Sequence, residues 1–192
     1  MPRPTLLVAD IGATSARMAL AAPESDVLEA VEIEPCADHS SAEHCLHDYL
    51  RRRSAPLPDR VVLAAAGPVR DGRIAFTNST WVLDEPALSR AFGGADVRVV
   101  NDLVAQAEAL PALRSGDLRP IGAAGRPTLG GEAGTVAVLA PGTGLGASAL
   151  LRRGGHDSAL ASEAGHGGFA PADELQRALL AELAADGARV SN

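Results

Sequence analysis

Residues 10 to 15 (DIGATS) lie between two apolar stretches near the start of the chain. A tight hairpin that contains glycine directs several backbone N–H groups into one concavity, which suits the oxygens of a phosphate. Thr14 adds a hydroxyl, and the Asp10 carboxylate can hold a hydrated Mg²⁺ beside the phosphates. An ordinary hairpin turn explains the same segment equally well when it is considered alone.

A second glycine-rich segment, residues 141 to 146 (PGTGLG), lies in the later part of the chain. The dinucleotide-binding fingerprint needs G-x-G-x-x-G followed by a helix, whereas this segment has G-x-G-x-G. Residues 147 to 151 are too short for the usual crossover helix. The segment therefore predicts another phosphate-binding hairpin, and a nicotinamide dehydrogenase would require a helix directly after Gly146. Two such hairpins in one chain are far more specific than either alone.

Asn101 and Asp102 follow a short apolar run that is typical of a buried strand. A carboxylate just past the end of such a strand can lie in a cleft and accept a proton from a substrate hydroxyl. Asp102 can also be the N-cap of a helix predicted from about Leu103, and the residue type alone favours the cap. The two roles are compatible.

Residues 162 to 171 (SEAGHGGFAP) place a carboxylate and an imidazole three positions apart among glycines. Glu163 and His166 can thus hydrogen-bond neighbouring hydroxyls of a sugar. The alternative is a mobile glycine-rich loop whose polar groups are solvated. A hydrolase triad has little support, because the sequence lacks a G-x-S-x-G nucleophile motif.

A cluster of cysteine and histidine raises the question of a metal site. Its members are Cys36, His39, His44, Cys45 and His47. The spacing matches no familiar zinc pattern. Ser40 with Glu43 predicts a capping box at the start of a helix that continues through about Arg53. On that helix two of the histidines share a face while Cys45 points elsewhere, which favours a solvated helix over a metal site.

The composition excludes several classes of protein. All 17 basic residues are arginine, so Schiff-base, pyridoxal phosphate and lysine P-loop chemistry are excluded. The net charge of −7 argues against a nucleic-acid surface, and a hydrophobic fraction of 46 % is enough for a folded core. No run of 18 apolar residues and no signal peptide are apparent, which predicts no membrane span and a cytoplasmic location.

The hydrophobic pattern predicts an α/β fold that begins with three strands. These strands form an antiparallel meander because their connections are too short for helices, and later strands add to it in parallel. The predicted strands are 6–10, 16–22, 27–33, 61–66, 73–77 and 97–100, and the predicted helices are 41–53, 84–92 and 103–110.

A second pattern of elements begins after about residue 111 and repeats the opening order of the first. It contains predicted strands at 118–122, 135–140, 147–152 and 157–161, followed by a helix at 172–185. The sequence therefore predicts a domain of residues 1–110 and a second domain of residues 111–192.

Taken together, these segments resemble the bacterial glucokinase family, within the superfamily of sugar kinases, actin and heat-shock proteins. The matching stretches are 7–20 (LVADIGATSARMAL), 66–69 (AGPV), 77–81 (TNSTW), 100–102 (VND), 141–146 and 162–171. They occur in family order over essentially the whole chain. The resemblance implies the ribonuclease-H-like (actin-like ATPase) two-domain kinase fold, with the second domain incomplete.

The resemblance also implies a reaction, which is the ATP-dependent phosphorylation of glucose or a related hexose at its 6-hydroxyl, with Mg²⁺. It is compatible with a homodimer. Asp102 matches the catalytic base of the family and also contacts the sugar. The other implied sugar-binding residues are Asn78, Asn101, Glu163 and His166, and the implied ATP-phosphate loops contain Asp10, Gly12, Ala13 and Thr14, and Gly142, Thr143 and Gly144.

The chain departs from the family pattern at a few positions. Ala13 and Ser15 replace a common glycine and asparagine, and Ala13 is costly only if its backbone needs a positive φ or a close phosphate approach. Ala164 also replaces a common glycine, and the zinc-binding cysteines of the related repressor kinases are absent. Family chains continue beyond residue 192 into the adenine pocket. Weak or no turnover is therefore expected of residues 1–192 alone, and a non-catalytic sugar-binding or regulatory remnant is the alternative.

Overall fold

The computed structural model describes the chain except for residues 1–4, 23–24, 26, 77–78, 124–130, 132, 142–143 and 186–192. The fold divides into two compact units, Met1–Asp102 and Leu103–Asn192. Residues 103 to 110, which the sequence analysis assigned to the first domain, group with the second unit.

The first unit is built on strands and two packed helices. The strands are β1 (Leu6–Ile11), β2 (Ser15–Ala21), β3 (Glu29–Pro35), β4 (Arg60–Ala65), β5 (Arg73–Ala75), β6 (Val82–Asp84) and β7 (Asp96–Asn101). The helices are α1 (Ala42–Arg52) and α2 (Glu85–Ala91), and α3 (Asp102–Ala109) begins on the last residue of the unit. The short strand β6 was missed by the sequence analysis.

The described strands form a five-stranded sheet in the order β3-β2-β1-β4-β7, and β5 pairs separately with β6. β1, β2 and β3 are antiparallel neighbours, whereas β4 and β7 add in parallel. The predicted meander with parallel additions is therefore confirmed. Alternate residues of β1 and β4, such as Leu7 and Leu63, are fully buried, because successive side chains point to opposite faces of the sheet.

The three parallel strands end at one edge of the sheet. Ile11 of β1 is in register with Ala65 of β4, which is in turn in register with Asn101 of β7. Parallel strands share a direction, so the chain leaves all three strands on the same side. The turn after β1, the loop after β4 and the Asn101–Asp102 pair therefore lie along one edge.

Helix α1 begins one residue later than predicted. Ser41, not Ser40, is the N-cap, and its Oγ accepts a hydrogen bond from the backbone N–H of His44 at 3.1 Å. The capping-box prediction was wrong because Glu43 lies one residue before the position that the motif requires. The buried face of the helix, Cys45, Leu46, Tyr49 and Leu50, packs into the core of the first unit.

The second unit contains a three-stranded antiparallel sheet in the order β10-β9-β8. Its elements are β8 (Ala133–Pro141), β9 (Leu145–Arg153), β10 (His156–Ser162) and helix α4 (Glu174–Leu183), which Asp173 caps through the N–H of Gln176. These elements confirm three predicted strands and the last predicted helix. On α4 the apolar residues Leu175, Leu179 and Leu183 are exposed.

The strand predicted at residues 118 to 122 was wrong, since these described residues form no strand. Pro120 has no N–H to donate to a sheet, and Gly122 has a φ of +78°, outside the extended region. The longest described α-helix has 11 residues. In the described parts of the chain, no helix is long and apolar enough to cross a membrane.

Both cysteines are buried in the first unit, and this predicts a loss of stability at alkaline pH. Burial raises the pKa of Cys45 to about 12 and that of Cys36 above its ordinary value. The folded state therefore keeps a proton on Cys45 that the unfolded chain releases near pH 9.0. The contribution of the protonated Cys45 thiol to the free energy of unfolding is therefore complete below pH 9.0 and is lost as the pH rises towards 12. We expect the free energy of unfolding to fall by up to about 1.4 kcal/mol per pH unit in this window.

Urea unfolding on either side of the unfolded-state pKa measures this loss. A Cys45→Ala variant is the control, because burial also raises the pKa of Tyr49 and so contributes a slope of the same sign. The free energy of unfolding of this variant should depend less steeply on pH than that of the unchanged chain. An identical slope in the variant would show that the Cys45 thiol is not its source.

Candidate functional site

The turn after β1 is held by backbone hydrogen bonds on both sides. The N–H of Gly12 donates to the carbonyl of Ser15 at 2.9 Å, which closes the hairpin. The carbonyl of Thr14 accepts from the N–H of Cys36 at 2.9 Å, and the Cys36 Sγ donates to the carbonyl of Gly12 at 3.6 Å. These contacts fix the backbone of the turn and leave the side chain of Thr14 on the exposed surface.

Ala13 occupies this turn without backbone strain, because it is not among the described residues that have positive φ. Even at Gly12 a Cβ would lie 3.5 Å from the carbonyl oxygen of Ser15, which is an ordinary contact. The departure from the family pattern at residue 13 is therefore tolerated by the fold. Beside the turn, Arg17 donates to Asp10 Oδ2 at 3.1 Å, and both side chains are more than half exposed.

Asn101 joins the end of β7 to the loop that follows β4. Its Nδ2 donates to the carbonyl of Gly67 at 3.1 Å. Gly67 has a φ of +129°, a conformation that favours glycine, so the loop that supplies this carbonyl needs glycine at this position. This contact was missed by the sequence analysis, although the Gly-Pro pair after an apolar strand was a signal for a special turn.

Asp102 is half-buried and is the first residue of α3. The helix starts one residue earlier than predicted, so Asp102 lies inside its first turn rather than before it. The Asp102 carboxylate therefore lies at the N-terminal end of α3, directly after the last residue of β7.

In the second unit, Pro141 pairs with Leu145 where β8 turns into β9. Gly142, Thr143 and Gly144 are the residues predicted in this turn. The first two lie outside the described residues, as does Asn78 in the first unit. Because a strand and not a helix follows the turn, the segment does not form a dinucleotide-binding fingerprint.

A short 3₁₀ turn, Ala164–His166, packs on the start of β9; Glu163 directly precedes it and His166 is its last residue. Gly165, inside this turn, is buried, and a Cβ there would overlap the carbonyl oxygen of Leu145. The Nε2 of His166 lies 3.4 Å from Oε2 of Glu163, and both side chains are exposed. The fold of the second unit thus brings the predicted carboxylate–imidazole pair beside the β8–β9 turn.

A match to a protein-family model shows which family the chain belongs to. The family model described as Glucokinase matches residues 7–192. The chain belongs to the glucokinase family. A glucokinase from Caulobacter vibrioides (strain NA1000) is 43 % identical over 96 % of this chain and 56 % of its own length. The glucokinase-family chain therefore spans little more than half the length of that relative.

Solved structures agree with this assignment and with the predicted α/β, actin-like ATPase fold. A crystal structure of glucokinase from an Antarctic psychrotroph superposes with a TM-score of 0.79 at 35 % identity, over 97 % of this chain and 58 % of that one. A Streptomyces griseus glucokinase of the ROK family, in complex with glucose and AMPPNP, superposes with a TM-score of 0.58 at 18 % identity, over 89 % of this chain and 53 % of that one. The second likeness bears on the fold alone.

Proposed function

We propose that this chain supplies the catalytic base and part of the sugar and phosphate sites of a glucokinase. The reaction transfers the terminal phosphoryl group of ATP to the 6-hydroxyl of glucose. The observation that supports it best is the shared edge of β1, β4 and β7, where the glycine turn lies two strands away from Asn101 and Asp102, with β4 between them. Ligands of open α/β sheets bind at the carboxyl ends of parallel strands.

In this proposal Asp102 accepts the proton of the attacking hydroxyl, and Asn101 binds the sugar beside it. Phosphoryl transfer needs little covalent chemistry from the protein beyond positioning, charge neutralisation and a base. Glu163, His166 and Asn78 bind further hydroxyls. A site built from polar groups rejects an epimer, because the displaced hydroxyl leaves one of these groups unpaired.

The two glycine turns hold the ATP phosphates in the proposal. Their residues are Asp10, Gly12, Ala13 and Thr14, and Gly142, Thr143 and Gly144. Backbone N–H groups and threonine hydroxyls supply donors in a chain without lysine. The exposed carboxylate of Asp10 is a ligand type that Mg²⁺ accepts, and we assign to it a water-mediated contact with this ion.

The two compact units are proposed to be the small domain and the beginning of the larger domain of the kinase. A cytoplasmic location and a homodimer stay predictions. The alternative, a non-catalytic remnant, rests on Ala13, Ser15 and the short chain. Ala13 is free of positive φ, and Ser15 contributes a backbone carbonyl that any residue can supply. These two residues therefore do not argue against the kinase.

Calorimetry with glucose, followed by a coupled ADP assay, tests the proposed function. We expect the 192-residue chain to bind glucose more tightly than galactose and to show weak or no turnover. A chimera with the part of the Caulobacter relative beyond the matched stretch should phosphorylate glucose. Sugar binding without nucleotide binding in a cooperatively folded chimera would support the remnant, and absence of both would overturn the assignment.

A further inference from the structure

A cluster of metal-ligand side chains lies in the first unit, on residues to which the kinase proposal gives no role. His39 follows β3, and His44 and Asp48 are one turn apart on α1, so the last two share a helix face. Asp48 Oδ2 lies 3.8 Å from His39 Nδ1 and 3.5 Å from His44 Nε2. The three ligand atoms all lie within 4.8 Å of one another.

His39 presents a buried nitrogen that lacks a partner. Its side chain is only 6 % exposed, and its Nε2 lies 2.6 Å from Oε2 of Glu34. When Nε2–H donates to this carboxylate, Nδ1 carries a lone pair. Among the described residues, Nδ1 has no hydrogen-bond partner, since 3.8 Å to Asp48 is too long for one. A buried polar atom without a hydrogen-bond partner destabilises the folded state, and a ligand bound at Nδ1 would remove this cost.

We propose that His39 Nδ1, His44 Nε2 and Asp48 Oδ2 bind one divalent transition-metal ion, with Zn²⁺ as the best fit. Ligands around tetrahedral zinc, at bond lengths of about 2.0–2.2 Å, lie about 3.3–3.6 Å apart. The two separations from Asp48 Oδ2, 3.5 and 3.8 Å, need only a small contraction, and the two histidine nitrogens lie within 4.8 Å of each other. His44 is half exposed, so water can fill the fourth position.

The residues around the cluster support the ligands as the outer shell of a zinc site does. Glu34 accepts from the far nitrogen of His39, which fixes the tautomer that leaves Nδ1 as the ligand atom. Arg52 donates to Glu34 in turn. Arg51 binds the Oδ1 of Asp48 at 2.8 Å, which directs the other oxygen, Oδ2, at both histidines.

Cys45 is a competing ligand that the structure argues against. It forms a second possible set with Glu34 and His39. Its side chain is buried, however, and its Sγ contacts the Sδ of Met18 at 3.7 Å. The histidine–aspartate set is therefore the one proposed.

The ion would stabilise a segment that supports the phosphate turn. Within the first unit, Cys36 binds the carbonyl of Thr14, and the carbonyl of His39 accepts from the indole N–H of Trp81 at 3.3 Å. Residues 36 to 44 thus connect the turn after β1 with the Trp81 segment. A metal between His39 and α1 would fix this connection and so stabilise the first unit.

Zinc titration of the metal-stripped 192-residue chain, followed by calorimetry and thermal unfolding, tests the site. We expect saturation at one Zn²⁺ per chain and a higher Tm with zinc. His44→Ala removes an exposed ligand from a helix that alanine favours, so the variant should fold and lose at least tenfold in affinity. Glu34→Gln should lose about 10- to 100-fold, as supporting residues of metal sites do.

His156→Ala is the matched control, because it removes an exposed histidine of β10 and should leave zinc affinity unchanged. The visible spectrum of the Co²⁺-loaded chain identifies the ligands. Bands of a tetrahedral site without sulfur charge transfer support the proposal. A sulfur-to-cobalt band would overturn it in favour of Cys45. Absence of saturable binding, or equal affinity in His44→Ala and the unchanged chain, would overturn the site altogether.

Discussion

Replacing Asp102 with asparagine is expected to lower kcat for glucose phosphorylation by about 100- to 10,000-fold, the range for loss of a general base. KM for glucose should change little, because asparagine keeps the size and hydrogen-bonding reach of the side chain. The half-buried position at the start of α3 is compatible with the amide, so the fold should be kept. The coupled ADP assay on the chimera, with and without the substitution, measures the effect.

Asp84→Asn provides a matched control for this prediction. Asp84 also stands between a strand and a helix, is also half-buried, and caps α2 through the N–H of Ala87 at 2.9 Å. Asparagine is an equally good N-cap, so both stability and kcat should be preserved. Retention of kcat in Asp102→Asn would place the base elsewhere. An equal loss in both variants would indicate a general effect on folding.

The second large effect is expected from Gly165→Ala. The added Cβ would overlap the carbonyl oxygen of Leu145, and backbone cannot move aside as a flexible side chain can. The 3₁₀ turn must therefore shift away from β9, at a cost of about 3 kcal/mol, the upper part of the range for overpacking. Glu163 is the N-cap residue of this turn and His166 is its last residue, so both would shift with it. We expect glucose affinity to fall at least about tenfold, which corresponds to 1.4 kcal/mol.

Gly168→Ala is the control for Gly165→Ala, since it lies in the same segment and a Cβ there meets nothing within 4 Å. Its Tm and glucose affinity should match those of the unchanged chain. Calorimetry and thermal unfolding of both variants make the comparison. Unchanged glucose affinity in Gly165→Ala would show that this turn does not position the sugar-binding pair.

The strands of the first unit were largely predictable because their local patterns are strong. The apolar run 6–10 and the alternating segment 27–33 both formed strands, and short connections made the first pairings antiparallel. The pairing of Ile11 with Ala65, and of Ala65 with Asn101, was not predictable, because it joins distant segments whose register no local pattern specifies. The strand predicted at residues 118–122 did not form, because Pro120 has no N–H to donate to a neighbouring strand.

The candidate site was predictable where a residue type and a strand end coincide, as at Asp102. The contact of Gly67 with Asn101 was missed because Gly67 accepts the hydrogen bond with its backbone carbonyl. Every residue has such a carbonyl, so the residue type does not indicate the contact. The cluster proposed to bind a metal was not predicted, for a different reason. Cysteine and histidine spacings alone do not include Asp48, which the structure brings within 4.8 Å of the ligand atoms of His39 and His44.

The position of β4 between β1 and β7 in the sheet has a consequence for the order of folding. β1, β2 and β3 are consecutive and joined by short connections, so their hairpins can form early from nearby residues. Among the described strands, β7 pairs only with β4, so Asn101 takes its place at the sheet edge after β4 has docked on β1 and a long loop has closed. We therefore expect the proposed phosphate turn, residues 10–15, to form early in folding and the proposed base, Asp102, to be positioned late, when β7 docks.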